Sequence, residues 1–239
     1  MMEPNEISRL FAAQGLDLTL SQAKQLDRYG DLLLDWNQRM NLTAITQPEE
    51  VAVKHFLDSA LLLQHCGQLP ERLSMIDVGT GAGFPGLVLA VLKPEWEIAL
   101  LDSLQKRVAF LETVCQELSL SNVRCIHSRA EDGGQNAALR EQFEVATARA
   151  VANLPLLCEY CLPFVKVNGW FLPMKGTNPS EEGQRAEKAI SLLGGKLESV
   201  EEYTLSEGSH RSLFRIRKVR QTPKQYPRNP GKIKKFPLG

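Results

Sequence analysis

No apolar run in the 239 residues approaches the ~20 needed to cross a bilayer as a helix, so a helical membrane span is not expected. The first ten residues carry Glu3 and Glu6 where a secretory leader would carry a basic start and then an apolar stretch. A cytoplasmic location is therefore expected. Cysteine is sparse and odd in number. Cys66, Cys115, Cys125, Cys158 and Cys161 are spread through apolar segments, which argues for reduced, buried thiols rather than a disulfide framework. Cys158-x-x-Cys161 is half of a metal or redox motif, but no second pair or histidine cluster accompanies it, and it lies in the helix-like stretch Leu156 to Leu162. Core packing is expected of both thiols, and no metal site. Internal repeats and low-complexity linkers are missing as well.

Net charge is also absent, with 28 basic and 28 acidic residues, but the balance hides an asymmetry. From Arg211 to Gly239 there are ten Lys or Arg and no acid, which leaves 18 basic and 28 acidic residues before them. The tail is thus strongly positive and the body negative. Four prolines past Arg220 suit an extended segment lying on something; a solvated tail and an RNA contact both fit that composition.

At this length, with 43% apolar residues, the chain can bury a full core, enough for one α/β domain and a small appendage. Residues 5 to 65 read as helices. Leu26, Tyr29, Leu33, Trp36 and Met40 fall at offsets of three and four, forming one apolar stripe expected to be core. Pro48 starts a further helix on which His55, Asp58 and Ser59 share a face. A hydrogen-bonded surface pair and a functional pair both fit that spacing. From Leu73 onward, short apolar runs at 73–78, 97–102, 123–128, 143–148 and 169–174 alternate with helix patterns, the clearest being Gln105 to Leu118. This repetition predicts a parallel sheet with right-handed crossovers. Two more strands, near 196–205 and 212–219, have no long helix between them and predict an antiparallel hairpin at one edge. A loop from Thr177 to Glu182 precedes a polar helix.

The most informative stretch is Met75-Ile-Asp-Val-Gly-Thr-Gly-Ala-Gly-Phe-Pro-Gly86, a buried-strand pattern that runs into glycines and then opens a helix, with Pro85 in its first turn. Gly81 to Gly86 fits G-x-G-x-x-G, so a nicotinamide enzyme is one reading. Ligands in open α/β sheets bind beyond the carboxyl ends of the strands, and the later strand ends offer Asp102, then Ala130 and Glu131, then Arg149. An acid ending the second strand suits a ribose in either class. Asp77 separates them, because Asp77, Gly79, Gly81 and Gly83 form D-x-G-x-G-x-G, which resembles the first motif of Rossmann-like S-adenosylmethionine methyltransferases. Known target chemistries fit unevenly. Cys158 and Cys161 lack the preceding proline of a pyrimidine-C5 nucleophile. Asn153-Leu-Pro-Leu156 comes too late, and ends in the wrong residue, for exocyclic-amine transfer. Lys175 has no assignable partners for ribose transfer. Guanine N7 needs no base, since its in-plane lone pair carries no proton, and transfer asks chiefly for desolvation and alignment.

Trp36-Asn-x-x-Met-Asn-Leu-Thr-Ala-Ile45, His55-x-x-Asp58-Ser59, the glycine motif, Asp102-Ser-x-x-Lys-Arg107, Arg129-Ala-Glu131, Arg149-Ala-Val-Ala-Asn-Leu154 and Tyr226-Pro-Arg-x-Pro-Gly231 together resemble the small-subunit ribosomal RNA guanine-N7 methyltransferases, the glucose-inhibited division protein B family. The resemblance runs from Trp36 nearly to the end. It implies a Rossmann-like class I methyltransferase with a seven-stranded, mostly parallel sheet, helices on both faces and an N-terminal helical extension. The expected division is 1–70 for the extension, 71–220 for the cofactor-binding domain and 221–239 for the basic tail. It further implies S-adenosylmethionine held by Gly79, Gly81, Gly83, Phe84, Ala130, Glu131 and Arg149, with Asp102 on the ribose, and methyl transfer to N7 of a guanine in 16S ribosomal RNA near the decoding region. The substrate would be that RNA, the small subunit or its precursor, and the protein a monomer. His55, Asp58 and Lys175 are candidates for the RNA-facing mouth. Arg211, Arg215, Arg217, Lys218, Lys224, Arg228, Lys232, Lys234 and Lys235 are candidates for phosphate contacts. An RNA-binding assembly factor without turnover and a small-molecule methyltransferase are the competing readings.

Overall fold

Strands form where the apolar runs fall. In the computed structural model, which describes residues 2–176 and 178–238, one seven-stranded sheet comprises β1 (Ser74–Val78), β2 (Glu97–Asp102), β3 (Val123–His127), β4 (Phe143–Arg149), β5 (Val165–Lys175), β6 (Gly195–Thr204) and β7 (His210–Lys218). Their order is β3-β2-β1-β4-β5-β7-β6. The first five are parallel, β7 runs antiparallel to β5, and β6 pairs antiparallel with β7 at the edge. The sheet is therefore mostly parallel with a terminal hairpin, as expected.

Side chains alternate between two core layers, as the strand period of two requires. Met75, Ile98, Leu100, Val145, Leu172 and Leu213 face one layer, while Ile76, Val78, Ala99, Leu101, Phe171 and Phe214 face the other. The first layer is roofed by α1 (Pro4–Ala12), α2 (Leu20–Asn37), α4 (Asp58–His65), α5 (Gly86–Leu92) and α6 (Gln105–Glu117). The second is closed by α8 (Leu154–Cys161) and α9 (Pro179–Leu192), with α7 (Ala130–Gln135) at its side. The N-terminal helices thus share one continuous core with the sheet. Helix α5 is apolar throughout because it lies between the sheet and α2 and α4, and burying each of its larger side chains contributes about 2 kcal/mol relative to exposure. Between α3 (Pro48–Val51) and α4 the helix widens into a π-helical turn at Ala52–Leu57.

Some boundaries differ from the sequence reading. Helix α2 ends at Asn37, so Met40 lies in the following turn, although Leu26, Tyr29 and Leu33 are fully buried as expected. Strand β5 begins four residues early, with Asn168 at a φ of 69° and Gly169 packed so closely on the Glu144 carbonyl that a side chain would not fit. Helix α9 starts at Pro179, which shortens the predicted loop; Thr177 lies outside the described residues. All five cysteines are free, with Cys158 and Cys161 buried on α8 and their thiols pushed upward by burial. Among the described residues, no helix is long and apolar enough to cross a membrane.

Candidate functional site

The sheet winds outward in opposite directions from β1 and β4, which opens a crevice at their carboxyl ends. The loop Gly79–Gly83 forms one wall. Gly81 has a φ of 62°, and a methyl group built on it would meet nothing within 4 Å, so its backbone borders open space. Gly83 is fixed for the opposite reason, since a methyl there would lie 2.3 Å from Leu87 and 2.7 Å from the Tyr29 hydroxyl. That hydroxyl donates to the Ala82 carbonyl, so α2 braces the loop directly. Beneath it, buried Asp77 accepts from Thr80 Oγ1 at 2.6 Å and from the Gly86 amide at 2.9 Å through Oδ2. Its Oδ1 is buried with no partner among the described residues, and burial raises its pKa to about 6.

Asp102 ties the loop to β2. Its Oδ2 accepts from the Gly81 amide at 3.0 Å and its Oδ1 from the Leu104 amide at 2.9 Å, with Arg107 3.6 Å away. Leu104 and Val151 are exposed apolar side chains on the loops after β2 and β4, and Val151 lies against Gly79. Ala130 and Glu131, half-buried, open α7 after β3. Open space over Gly81, exposed apolar side chains and the acids Asp77, Asp102 and Glu131 suit a nucleoside that carries positive charge. S-adenosylmethionine has that form, with an adenine, a ribose and a cationic sulfonium and ammonium.

The Phe84 ring is turned inward. It stacks on His55 at 4.5 Å and Tyr29 at 5.4 Å, and only 6% of the residue is exposed, so the ring walls the loop from behind. Arg149 crosses above it, 5.0 Å from the ring centroid. Rather than pointing at the glycines, its guanidinium donates to the Lys54 carbonyl at 3.0 Å, to Asp58 Oδ2 at 2.9 Å and to His55 Nδ1 at 3.0 Å. Because Nδ1 accepts, Nε2 carries the proton and donates to Thr43 Oγ1 at 2.7 Å. Burial, and then the charge of Arg149, lower the His55 pKa to about 3, so the imidazole is neutral. Thr43 is itself held by Asn37, whose side chain accepts from the amides of Leu42 and Thr43 and donates to the Thr43 carbonyl. His55 and Asp58 therefore do not pair with each other; both serve Arg149. Ala150 then turns the chain with a φ of 56°, a conformation that costs a non-glycine residue of order 1–3 kcal/mol.

Next to the crevice lies a cavity of about 330 Å³ lined by Ile45, Lys54, Arg149, Met174, Lys175 and Arg211, among others. Every cation in it is paired: Lys54 with Glu50, Arg149 and Arg211 with Asp58, and Lys175 with Glu182. A larger cavity, about 590 Å³, lies between α9 and β6 and shares no residue with the crevice.

The predicted phosphate contacts divide. Lys218 is fully buried, bonded to the carbonyls of Leu162 and Val165 and to Thr222, with Glu141 at 3.3 Å. Arg228 forks onto buried Glu159 through Nε at 2.8 Å and an Nη at 2.7 Å. Both expectations are corrected, because these cations fasten the tail instead of facing outward. Arg140 completes the fastening by donating to the carbonyls of Gly134, Thr222, Pro223 and Tyr226. Lys224 is exposed, as are Lys232, Lys234 and Lys235 on α10 (Pro230–Lys235), which buried Ile233 anchors. Arg215 and Arg217 flank Trp170 on the sheet.

The sheet order and glycine crevice place the chain among Rossmann-like S-adenosylmethionine-dependent methyltransferases. Solved structures agree on the fold: a 16S rRNA (adenine(1408)-N(1))-methyltransferase from Catenulisporales acidiphilia superposes with a TM-score of 0.53 at 17% identity, covering 66% of this chain and 87% of that one. A SAM-dependent methyltransferase from Aquifex aeolicus gives 0.52 at 15%, covering 71% and 93%. More specifically, residues 22–213 match the family model of GidB, rRNA small subunit methyltransferase G, and the chain belongs to that family. Proteins named ribosomal RNA small subunit methyltransferase G from Alkaliphilus metalliredigens and Clostridium novyi are 53% and 45% identical to it, over 94% and 95% of this chain and 94% of each relative.

Proposed function

We propose that the chain methylates N7 of a guanine in 16S ribosomal RNA near the decoding region, with the target base entering the cavity beside the crevice. S-adenosylmethionine, when bound, supplies a methyl group made electrophilic by its sulfonium. Asp102 would take the ribose hydroxyls, the Gly79–Gly83 backbone the methionine part, and the loop around Ala130 and Glu131 the adenine side.

The observation that carries the reading is that, among the described residues, no free base lines the cavity. His55 is neutral with both ring nitrogens engaged, and Asp58 is occupied by two arginines. A target that must lose a proton would need one of them released. Guanine N7 has no proton to lose, so the side chains need only exclude water, sandwich the base between apolar surfaces such as Ile45 and Met174, and hold neighbouring phosphates with Lys54, Lys175 and Arg211. The exposed lysines of the tail extend that phosphate contact.

The test is transfer of labelled methyl to small-subunit RNA, as naked RNA, as a partial ribonucleoprotein and as the assembled subunit, followed by N7-specific strand cleavage. Label released at one guanine is expected. Label retained on an exocyclic amine or on ribose would refute the N7 assignment, and RNA binding without label would favour an assembly factor.

A further inference from the structure

We propose that Trp170, Arg215 and Arg217 form a second phosphodiester-binding site for the RNA substrate, at the end of the sheet opposite the crevice; the inference rests on the RNA reading above. Trp170 lies directly across the β5–β7 ladder from Arg217. The guanidinium carbons of Arg215 and Arg217 lie 4.9 and 4.6 Å from its ring centroid. Two like charges thus share one indole. Other partly covered arginines have fixed acceptors: Arg149 and Arg211 have Asp58, Arg107 has Asp102, Arg228 has Glu159, and Arg140 has four backbone carbonyls. Arg215 and Arg217 have no ion-pair partner among the described residues. Cation–π contact offsets part of their mutual repulsion, and a bound anion would remove the rest.

A second observation points the same way. Arg215 Nε is buried with no acceptor, and Ser199 Oγ, on the residue directly opposite Arg215 in the β6–β7 ladder, is also buried without a partner. Room for the guanidinium comes from Gly67, where a methyl group would lie 2.5 Å from an Arg215 Nη. Each planar fork matches the oxygens of one phosphodiester, so the two held by one ring suit two successive phosphates of a strand. A nucleic-acid strand is favoured over a free anion by the strand period: Arg211, Arg215 and Arg217 lie on one face of β7, with buried Leu213 at the same-face position between Arg211 and Arg215. Arg211 lines the cavity, so the row leads from there to Trp170 over six residues, roughly 20 Å.

The test compares wild type with Arg215→Gln/Arg217→Gln, measuring affinity for a small-subunit RNA fragment across a range of salt. Each single-strand phosphate contact contributes about 0.7 to the slope of log K against log salt, so the double variant should lose about 1.4. At about 0.1 M salt, that corresponds to roughly 25-fold weaker binding relative to 1 M. S-adenosylmethionine affinity and the rate at saturating RNA should be unchanged. Arg217→Gln alone, which leaves the Arg215 Nε in place, gives a second reading at about half the slope change. An unchanged slope in either folded variant overturns the proposal, as does loss of inorganic phosphate binding with RNA affinity intact. If wild type neither binds nor methylates RNA, the RNA reading itself falls; if wild type methylates and the variants bind as tightly, only this site does.

Discussion

Replacing Asp58 by Asn tests whether the arrangement around Arg149 is a buried charge network or a set of incidental contacts. The carboxylate is 2% exposed and faces Arg149 at 2.9 Å, Arg211 at 3.3 Å and the Tyr203 hydroxyl at 3.5 Å. An amide keeps the shape and one acceptor but removes the charge, leaving Arg149, whose side chain is 13% exposed, without a counter-ion. Breaking a buried pair costs about 3–5 kcal/mol, and the retained acceptor places the expectation near about 3 kcal/mol. For a chain of this size that lowers Tm by about 6–12 °C, readable by calorimetry or circular dichroism. The repair is as informative as the damage. In Asp58→Asn/Arg149→Met the more buried of the two orphaned cations is gone, leaving Arg211, so the double variant should be more stable than the sum of the single losses by at least about 1 kcal/mol. A Tm within 2 °C of wild type for Asp58→Asn, or strictly additive losses in the cycle, would refute the network. Methyl transfer should fall in both variants, because Arg149 also positions His55 and the mouth of the cavity.

Three further outcomes are expected. Since the folded pKa of His55 is depressed to about 3 from 6.5, its contribution to stability is complete above pH 6.5 and is lost as pH falls toward 3. Between pH 7 and 4.5, wild type should lose up to about 2 kcal/mol more than His55→Gln in urea unfolding, and equal losses would contradict the neutral imidazole. Gly81→Ala meets no neighbour and should cost about 1–2 kcal/mol from its positive φ while weakening S-adenosylmethionine binding at least tenfold, whereas Gly83→Ala should fail first in stability; calorimetric titration beside thermal melting separates the two. Tyr29→Phe removes the hydroxyl that holds the Ala82 carbonyl and should cost about 1–2 kcal/mol together with cofactor affinity, so unaltered binding would show that the loop needs no brace.

What could be read from the sequence was what is local. Each parallel strand is a short apolar run, and the acid ending β2 and the glycines after β1 sit at fixed offsets from those runs, so the sheet and crevice followed from spacing alone. The partnerships were not legible because they join distant positions. His55 and Asp58 share a helix face, but the residue that organises them, Arg149, lies 91 positions beyond Asp58. Arg228 looked like a free tail cation because its carboxylate, Glu159, is 69 positions earlier in an apolar helix. Tyr29 was correctly placed in the core stripe, yet its hydroxyl supports the glycine loop, a role that apolar periodicity does not register. The only local hint was a polar tip on an otherwise apolar face. Phe84, expected beside the cofactor, also stacks into a cluster with Tyr29, Phe56 and His55, drawn from helices far away in sequence.

The interleaved order β5-β7-β6 constrains how the protein is made. Synthesis proceeds from the N-terminus at roughly 5–20 residues per second, and β6 emerges before the strand that must lie between it and β5. Until residues 210–218 are available, the outer edge of β5 has unpaired backbone groups, and β6 has no sheet to join. The nascent chain therefore carries an open, apolar edge strand for the whole interval in which α9 and β6 are produced, and it is closed almost last. The Arg211–Arg217 row enters the fold at that same moment, so the surface proposed to hold RNA exists only once the sheet is sealed.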